Sequence, residues 1–505
     1  MAATAGSAAL VALVADEGSF QPWDDDVVSA DPLGFVDTVA YPERLARARA
    51  DAGTTEAVVT GRVTCRGHDV VIVAGVFAFL AGSQGVAAGE RVTRAFERAG
   101  ELSLPVVGMP CSAGTRMQEG TLAFVQMAKI AAAVARFRAG GGCYVSYLRD
   151  PTLGGVLASW GALGAVTWAE PSALVGLTGP RVVELLTGKP FPDGVMVAEH
   201  LHAHGVVDDV VAPEQLAERV ARVLAVAVAP PDPAPAVVDD DVAVAVAVEE
   251  PSAWSCVEAT RAPHRPGVRD LLARWASDVT LLTGDGAGGD DMGCLVALCR
   301  FAGIPAVMVG ADRLARHRGA SLGAQDYRKA RRGMKLAGEL GLPLVTVIDM
   351  QGAQATARSE EGGLAREIGR CLMALSRLPV PTVSVLLGEG SGGGAIALLP
   401  ADRILAAQDA WLAPIAPEGA AAILFRTTDE APRLAAMQAI TASELQRHGI
   451  VDRVVAGSDA AHLAERVGAA VAAELGRLAG RDVAELLASR QSRLRRIGDA
   501  PGARG

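Results

Sequence analysis

The sequence predicts an α/β protein made of two copies of one layered domain. Three observations carry this. Two glycine-centred blocks share an order of elements: Gly154-Gly155 and Gly393-Gly394 each precede an apolar stretch, a second strand signal and a Pro-Gly-bearing turn. Downstream of each lies a near-identical tag, H-G-V-V-D-D-V-V from His204 and H-G-I-V-D-R-V-V from His448. Strand and helix signals alternate around both blocks, the pattern of a β-α layered unit. Self-similarity at this long spacing indicates a duplicated domain rather than a solenoid.

Residues 1–30 contain A-A-L-V-A-L-V, which is too short and lacks the preceding Lys or Arg of a signal peptide, so a loose N-terminal segment is expected. The first domain is expected over 31–228. Strands are read at Glu56 to Val63, Val70 to Phe77 and Pro105 to Gly108, with a helix from Gly89 to Gly100. Residues 229–251, rich in Pro, Ala, Val and Asp, read as a weakly structured linker. The second domain is expected over 252–476, and 477–505 reads as a solvated helix with a frayed end.

The chain has 505 residues, is half hydrophobic and carries a net charge of −10, enough to bury a large core in more than one domain. No clustered Lys/Arg face of the kind that neutralises nucleic-acid phosphates is found. No apolar run reaches membrane-span length. Seven dispersed cysteines without a C-x-x-C pair read as reduced cytoplasmic thiols.

The organising stretch is Pro381 to Asp402. Val383 to Leu387 reads as a buried strand, the glycine cluster as a tight turn, and Ala395 to Leu399 as the opening of a helix. Glycines let bare backbone N–H groups approach a carbonyl oxygen that is gaining negative charge, with a helix N-terminus adding partial positive charge. Two other readings compete: Gly388, Gly390 and Gly393 satisfy G-x-G-x-x-G, and close strand-to-helix packing also demands glycines. A dinucleotide fingerprint belongs once, near the start of its domain, whereas this block recurs.

Other motifs fail on context. Gly284-Asp-Gly-Ala-Gly-Gly is followed by a strand-like run, so it reads as a turn. Gly319-Ala-Ser321-Leu-Gly323, near His317, precedes a charged helix instead of following a strand, which argues against Ser321 as a nucleophile. His204 and His448 read as helix-end caps, and Glu119 and Glu170 as carboxylates accepting backbone N–H bonds.

Longer strings carry a family resemblance: E-A-V-V-T-G-R-V from Glu56, F-A-F-L-A-G-S-Q-G-V-A-A-G-E from Phe77, R-M-Q-E-G from Arg116 and D-P-T-L-G-G from Asp150 in the first half. The second half adds Y-R-K-A-R-R-G-M-K-L-A from Tyr327, G-E-G-S-G-G-G-A from Gly388, A-P-E-G-A-A-A-I-L from Ala416 and I-T-A-S-E-L from Ile440. The chain resembles the carboxyltransferase component of biotin-dependent acyl-CoA carboxylases, in the form that fuses beta- and alpha-type subunits. The resemblance implies two crotonase-like (ClpP/crotonase superhelix) domains. It further implies oxyanion holes at Gly154, Gly155, Gly393 and Gly394, and an oligomer whose sites are shared between subunits. Arg116 and Arg181 match family arginines and are candidates for the nucleotide part of coenzyme A. Ala113, Gly114, Met350, Gln351 and Gly352 are expected near the substrate.

The chain lacks a biotinyl-lysine motif, an ATP-grasp segment and the four-cysteine zinc ribbon of some relatives. Carboxybiotin is therefore expected on a separate carrier protein, made by a biotin carboxylase subunit, with acyl-CoA as substrate and no metal. A decarboxylase or transcarboxylase acting on malonyl-type thioesters, and a non-catalytic assembly subunit, are the alternatives. Two departures stand out. Ala113 replaces a family glycine, which would strain the loop at positive φ. Asp349-Met350-Gln351-Gly352-Ala353 stands where D-T-P-G-A is frequent, altering one wall.

Overall fold

The computed structural model describes residues 6–228, 250–317, 321–457 and 459–497. The chain divides into two compact units, Met1–Ala229 with Gly286–Gly288 and Pro230–Asp285 with Gly289–Gly505. Most of the expected linker, 229–249, lies outside the described residues.

In the first unit the strands are β1 (Gln21–Trp23), β2 (Val58–Cys65), β3 (His68–Gly75), β4 (Val106–Met109), β5 (Tyr144–Leu148), β6 (Thr152–Leu153), β7 (Val166–Ala169), β8 (Val175–Gly176) and β9 (Asp209–Val210). The main sheet runs β1-β2-β3-β4-β5-β7-β9, and β6 pairs with β8 apart from it. β1, β2 and β3 are antiparallel and the rest parallel. Strands such as V-V-I-V-A-G are buried on both faces, so they read as continuous apolar runs. The helix Val86–Leu102 covers the sheet beside Gln126–Ala139, where Phe96 meets Phe137 and Tyr144 edge-on at centroid separations of 5.6 and 4.9 Å.

The second unit repeats this plan with β10 (Ala276–Leu282), β11 (Cys294–Phe301), β12 (Ile304–Ala311), β13 (Leu344–Met350), β14 (Thr382–Ser391), β15 (Arg403–Ala407), β16 (Trp411–Ala413) and β17 (Arg453–Val455). Its order is β10-β11-β12-β13-β14-β15-β17, antiparallel through β12 and parallel afterwards. The repeated tags have one role. His204 and His448 are helix C-caps, each followed by a left-handed glycine, Gly205 (φ 68°) and Gly449 (φ 70°). The tag aspartates then clamp the neighbouring strand of the sheet, β7 or β15: Asp208 accepts the Thr167 N–H (2.8 Å), and Asp452 accepts the Ile404 N–H (2.6 Å).

Three expectations are corrected. The N-terminal segment is ordered from Gly6: Ser7–Val11 is helical, Leu10, Val11 and Val14 are buried, and β1 extends the sheet. The C-terminal segment docks as the helix Val483–Arg496, because buried Arg490 pairs with Asp402 and caps the carbonyls of Leu375, Leu378 and Val380. Finally, β14 runs on through Gly388 and Gly390 to Ser391, and the following helix is only Gly392–Ile396. A side chain at Gly388 would collide with Asp349, and one at Gly390 would lie 2.8 Å from Leu412 Cδ1. Packing, not a bound pyrophosphate, therefore explains those two glycines.

No single helix among the described residues is long and apolar enough to cross a membrane. All seven cysteines are buried and unpaired.

Candidate functional site

Each unit carries one glycine turn at the exit of a buried strand pair. In the first, β6 leads through Leu153 into Gly154, whose φ is +62°, and the helical residues Gly154–Val156. In the second, β14 leads through Ser391 into Gly392, φ +74°, and Gly392–Ile396. The amides opening a helix have no acceptor within it.

The loops expected beside these turns lie against them. Gly114 has φ +130° and its Cα is 3.3 Å from where a Cβ on Gly154 would stand; the following residue, Thr115, places Oγ1 3.1 Å from the corresponding point on Gly155. In the second unit Gly352 has φ +139°, and the next residue, Ala353, places Cβ 3.3 Å from that point on Gly394. Gly114 and Gly352 thus follow β4 and β13 at equivalent places, and by neighbours Gly394 corresponds to Gly155. By backbone conformation Gly392 corresponds to Gly154, so the second turn holds one extra residue. Gly393 is that residue, exposed and with nothing within 4 Å of where a Cβ on it would stand. Ala113 is exposed and is not among the residues with positive φ, so it strains nothing. Gly114 takes up the unusual conformation instead.

Met350, Gln351 and Gly352 line a cavity of about 250 Å³ together with Asp349, Arg316 and Ser321. Met350 is buried and Gln351 exposed. Residues 318–320 and the His317 side chain, part of the nucleophile-elbow pattern, lie outside the described residues. Of the lining residues, Asp349 pairs with Arg313 (2.7 Å) and Arg316 (3.5 Å), and Arg316 also pairs with Glu389 (2.9 Å), which in turn binds Arg261 (2.7 Å). These pairings join residues far apart in sequence, and no local motif announces them.

Arg116 and Arg181 part company. Arg116 is fully buried, binding Glu56 at 2.6 Å and Glu119 at 3.5 Å, so its guanidinium is not offered to a phosphate. Burial alone would raise the Glu56 pKa, but the charge and hydrogen bonds of Arg116 outweigh it and hold the carboxyl below its ordinary value. Glu119 accepts from Tyr41 (2.6 Å), Ser29 (3.0 Å) and the Val86 N–H, and Glu170 accepts the Asp150 N–H (3.1 Å). Arg181 is exposed in the first turn of the helix Pro180–Thr187, which buries none of its residues.

Sequence reasoning missed Tyr327. Its hydroxyl stands where a side chain on Gly394 would begin, and Met350 Cε lies 2.7 Å from the same point. The helical spacing of Tyr327, Ala330, Met334 and Ala337 marks a buried face. It does not reveal where a hydroxyl ends.

Comparison with known proteins gives a consistent picture. A family described as "Acetyl co-enzyme A carboxylase carboxyltransferase-like" matches residues 243–498. The "Probable biotin-dependent acyl-coenzyme A carboxylase beta3 subunit" of Mycobacterium tuberculosis is 48% identical over 490 residues, 96% of this chain and 97% of that protein. The "Acetyl-coenzyme A carboxylase carboxyl transferase subunits beta/alpha" of Salinispora arenicola is 40% identical over 512 residues, 97% of this chain and 90% of that one. Among solved structures, a transcarboxylase 12S hexamer with methylmalonyl-coenzyme A bound aligns with a TM-score of 0.76 at 22% identity, covering 94% of this chain and 90% of that one. A single-chain, multi-domain long-chain acyl-CoA carboxylase gives 0.69 at 19% identity, covering 94% of this chain and 45% of that one. At such identities the structural likeness establishes the fold, an α/β architecture of two crotonase-like domains. From the sequence identities over nearly its whole length, this chain belongs to the carboxyltransferase family of biotin-dependent acyl-CoA carboxylases, and it is a carboxyltransferase.

Proposed function

We propose that the chain moves a carboxyl group from carboxybiotin, carried on a separate protein, to the α-carbon of an acyl-CoA thioester. The N–C bond to the carboxyl breaks, a C–C bond forms at the α-carbon, and the displaced α-proton ends on the ureido nitrogen. The thioester passes through an enolate, and negative charge also gathers on the ureido oxygen. Two developing anions need two sets of oriented donors. The observation that carries the reading is the paired turns opened by left-handed Gly154 and Gly392. Backbone N–H groups are suited to this role because they are preorganised and cannot take the proton themselves. The turn at Gly154–Gly155 serves the thioester oxygen, and that at Gly392–Gly394 the ureido oxygen.

Self-association belongs to the same reading. The helix Pro180–Thr187 exposes Leu185 (85%) and Leu186 (78%), and the helix at the matching place in the second unit, Pro417–Phe425, exposes Ile423 and Leu424. Apolar side chains grouped this way are surfaces for a partner copy.

The test incubates the purified protein with free biotin and malonyl-, methylmalonyl- and longer acyl-CoA thioesters, following loss of the carboxyl group. Biotin-dependent decarboxylation supports transfer. Decarboxylation independent of biotin supports the decarboxylase alternative, and no turnover with any thioester supports an assembly role.

A further inference from the structure

The two glycine turns are alike in backbone but differ in their neighbours: Met127 and Thr115 lie beside Gly155, and Tyr327, Met350 and Ala353 beside Gly394. The helices Val86–Leu102 and Ala324–Leu340 cover equivalent sheet positions, with N-caps Gly85 and Gly323. Four residues in, the first has Gly89 and the second Tyr327. The space beside Gly89 is filled by the Gln126 side chain, whose Cβ lies 2.8 Å from a Cβ placed there. In the second unit the phenol itself reaches the turn.

Tyr327 is 0% exposed, and its hydroxyl has no hydrogen-bond partner among the described residues. A buried hydroxyl left unpaired costs about 1–3 kcal/mol, and native structures seldom keep one without a use. The oxygen abuts Gly394, and the other side chains beside Gly394, Met350 and Ala353, both line the cavity of about 250 Å³. Neither offers a good acceptor. Burial also holds the phenol far above its ordinary pKa, so it remains a protonated donor and cannot act as a base.

We propose that the Tyr327 hydroxyl donates a hydrogen bond to the oxygen held at the Gly392–Gly394 turn, a buried phenolic donor where the Gly154–Gly155 turn has the Thr115 hydroxyl beside it. This rests on the carboxyl-transfer reading above and deepens it. A phenol at one turn and an aliphatic hydroxyl at the other suit two oxygens of different character, one on a urea and one on an enolate. A neutral phenol also adds no fixed charge, so it strengthens the hole as charge develops without trapping a product anion by ion pairing.

The experiment compares wild type with Tyr327→Phe in biotin-dependent decarboxylation of malonyl- and methylmalonyl-CoA, alongside thermal unfolding without ligand. Loss of one such donor is expected to lower kcat by roughly 10²-fold. The KM for acyl-CoA should change less than about twofold, since a donor acting on the transition state leaves ground-state binding nearly untouched. Tm should stay level or rise, because removing an unpaired hydroxyl removes no hydrogen bond. A kcat within about twofold of wild type overturns the proposal and leaves carboxyl transfer standing. A marked fall in Tm also overturns it, since the hydroxyl would then hold a structural bond. An inactive wild type overturns the carboxyl-transfer reading itself, and the role of Tyr327 with it.

Discussion

A methyl group added at Gly394 meets two obstacles that separate stability from rate. It overlaps the Tyr327 hydroxyl and stands 2.7 Å from Met350 Cε and 3.3 Å from Ala353 Cβ. The thioether end of Met350 can swing aside. Tyr327 cannot move as easily, because its helix is packed on Leu364–Arg377, where the Cys371 thiol donates to the Tyr327 carbonyl (3.3 Å). Overpacking of this kind costs about 1–3 kcal/mol. In a unit of this size that lowers Tm by roughly 2–12 °C. Displacing the turn also misaims its donors, so kcat should fall roughly 10²- to 10³-fold. The double variant Tyr327→Phe/Gly394→Ala removes the overlapping oxygen and should recover most of the Tm while staying slow. Thermal unfolding and the biotin-dependent decarboxylation assay read the two effects separately. Gly394→Ala at wild-type Tm would refute the packing described here. A double variant with wild-type kcat would show that the loss was steric and that donation at this turn is dispensable.

Three further outcomes follow from the structure. Arg116→Met leaves the buried Glu56 charge without its cation, which should cost about 3–5 kcal/mol and appear as a folding defect rather than a raised KM for acyl-CoA. Because the folded-state pKa of Glu56 is depressed, its stabilisation is present above the unfolded value and lost as pH falls through the folded one. Wild type should therefore lose stability on acidification more steeply than Glu56→Gln. Leu185→Asp with Leu186→Asp should shift sedimentation toward smaller species with little change in ligand-free unfolding, as both side chains are exposed; unchanged sedimentation would remove this face from assembly.

The duplication was legible because its markers are local: a histidine cap, a glycine and a strand-clamping aspartate lie within five residues in each tag. The apolar runs of β3, β11 and β14 were likewise readable as buried strands. What escaped depends on partners distant in sequence. Gly388 and Gly390 look like a turn until β13 and β16 are seen pairing beside them. Arg116 looks available to phosphate until Glu56, 60 residues away, encloses it. The arginines near the C-terminus suggest a solvated tail, yet Arg490 reaches Asp402. Tyr327 belongs to this group, since only the folded chain shows that its hydroxyl ends at Gly394.

Gly393→Ala separates catalysis by the backbone donors of this turn from its packing. Gly393 is exposed, with no atom within 4 Å of an added Cβ, so the methyl disturbs no packing and Ala suits a helical position better than Gly. It would occupy the open side of the turn, where the reacting oxygen must approach the first-turn amides. Unchanged or slightly raised Tm is expected together with a fall in biotin-dependent kcat of roughly 10²-fold or more. Wild-type turnover in a normally folded Gly393→Ala protein would contradict catalysis by backbone donors at this turn.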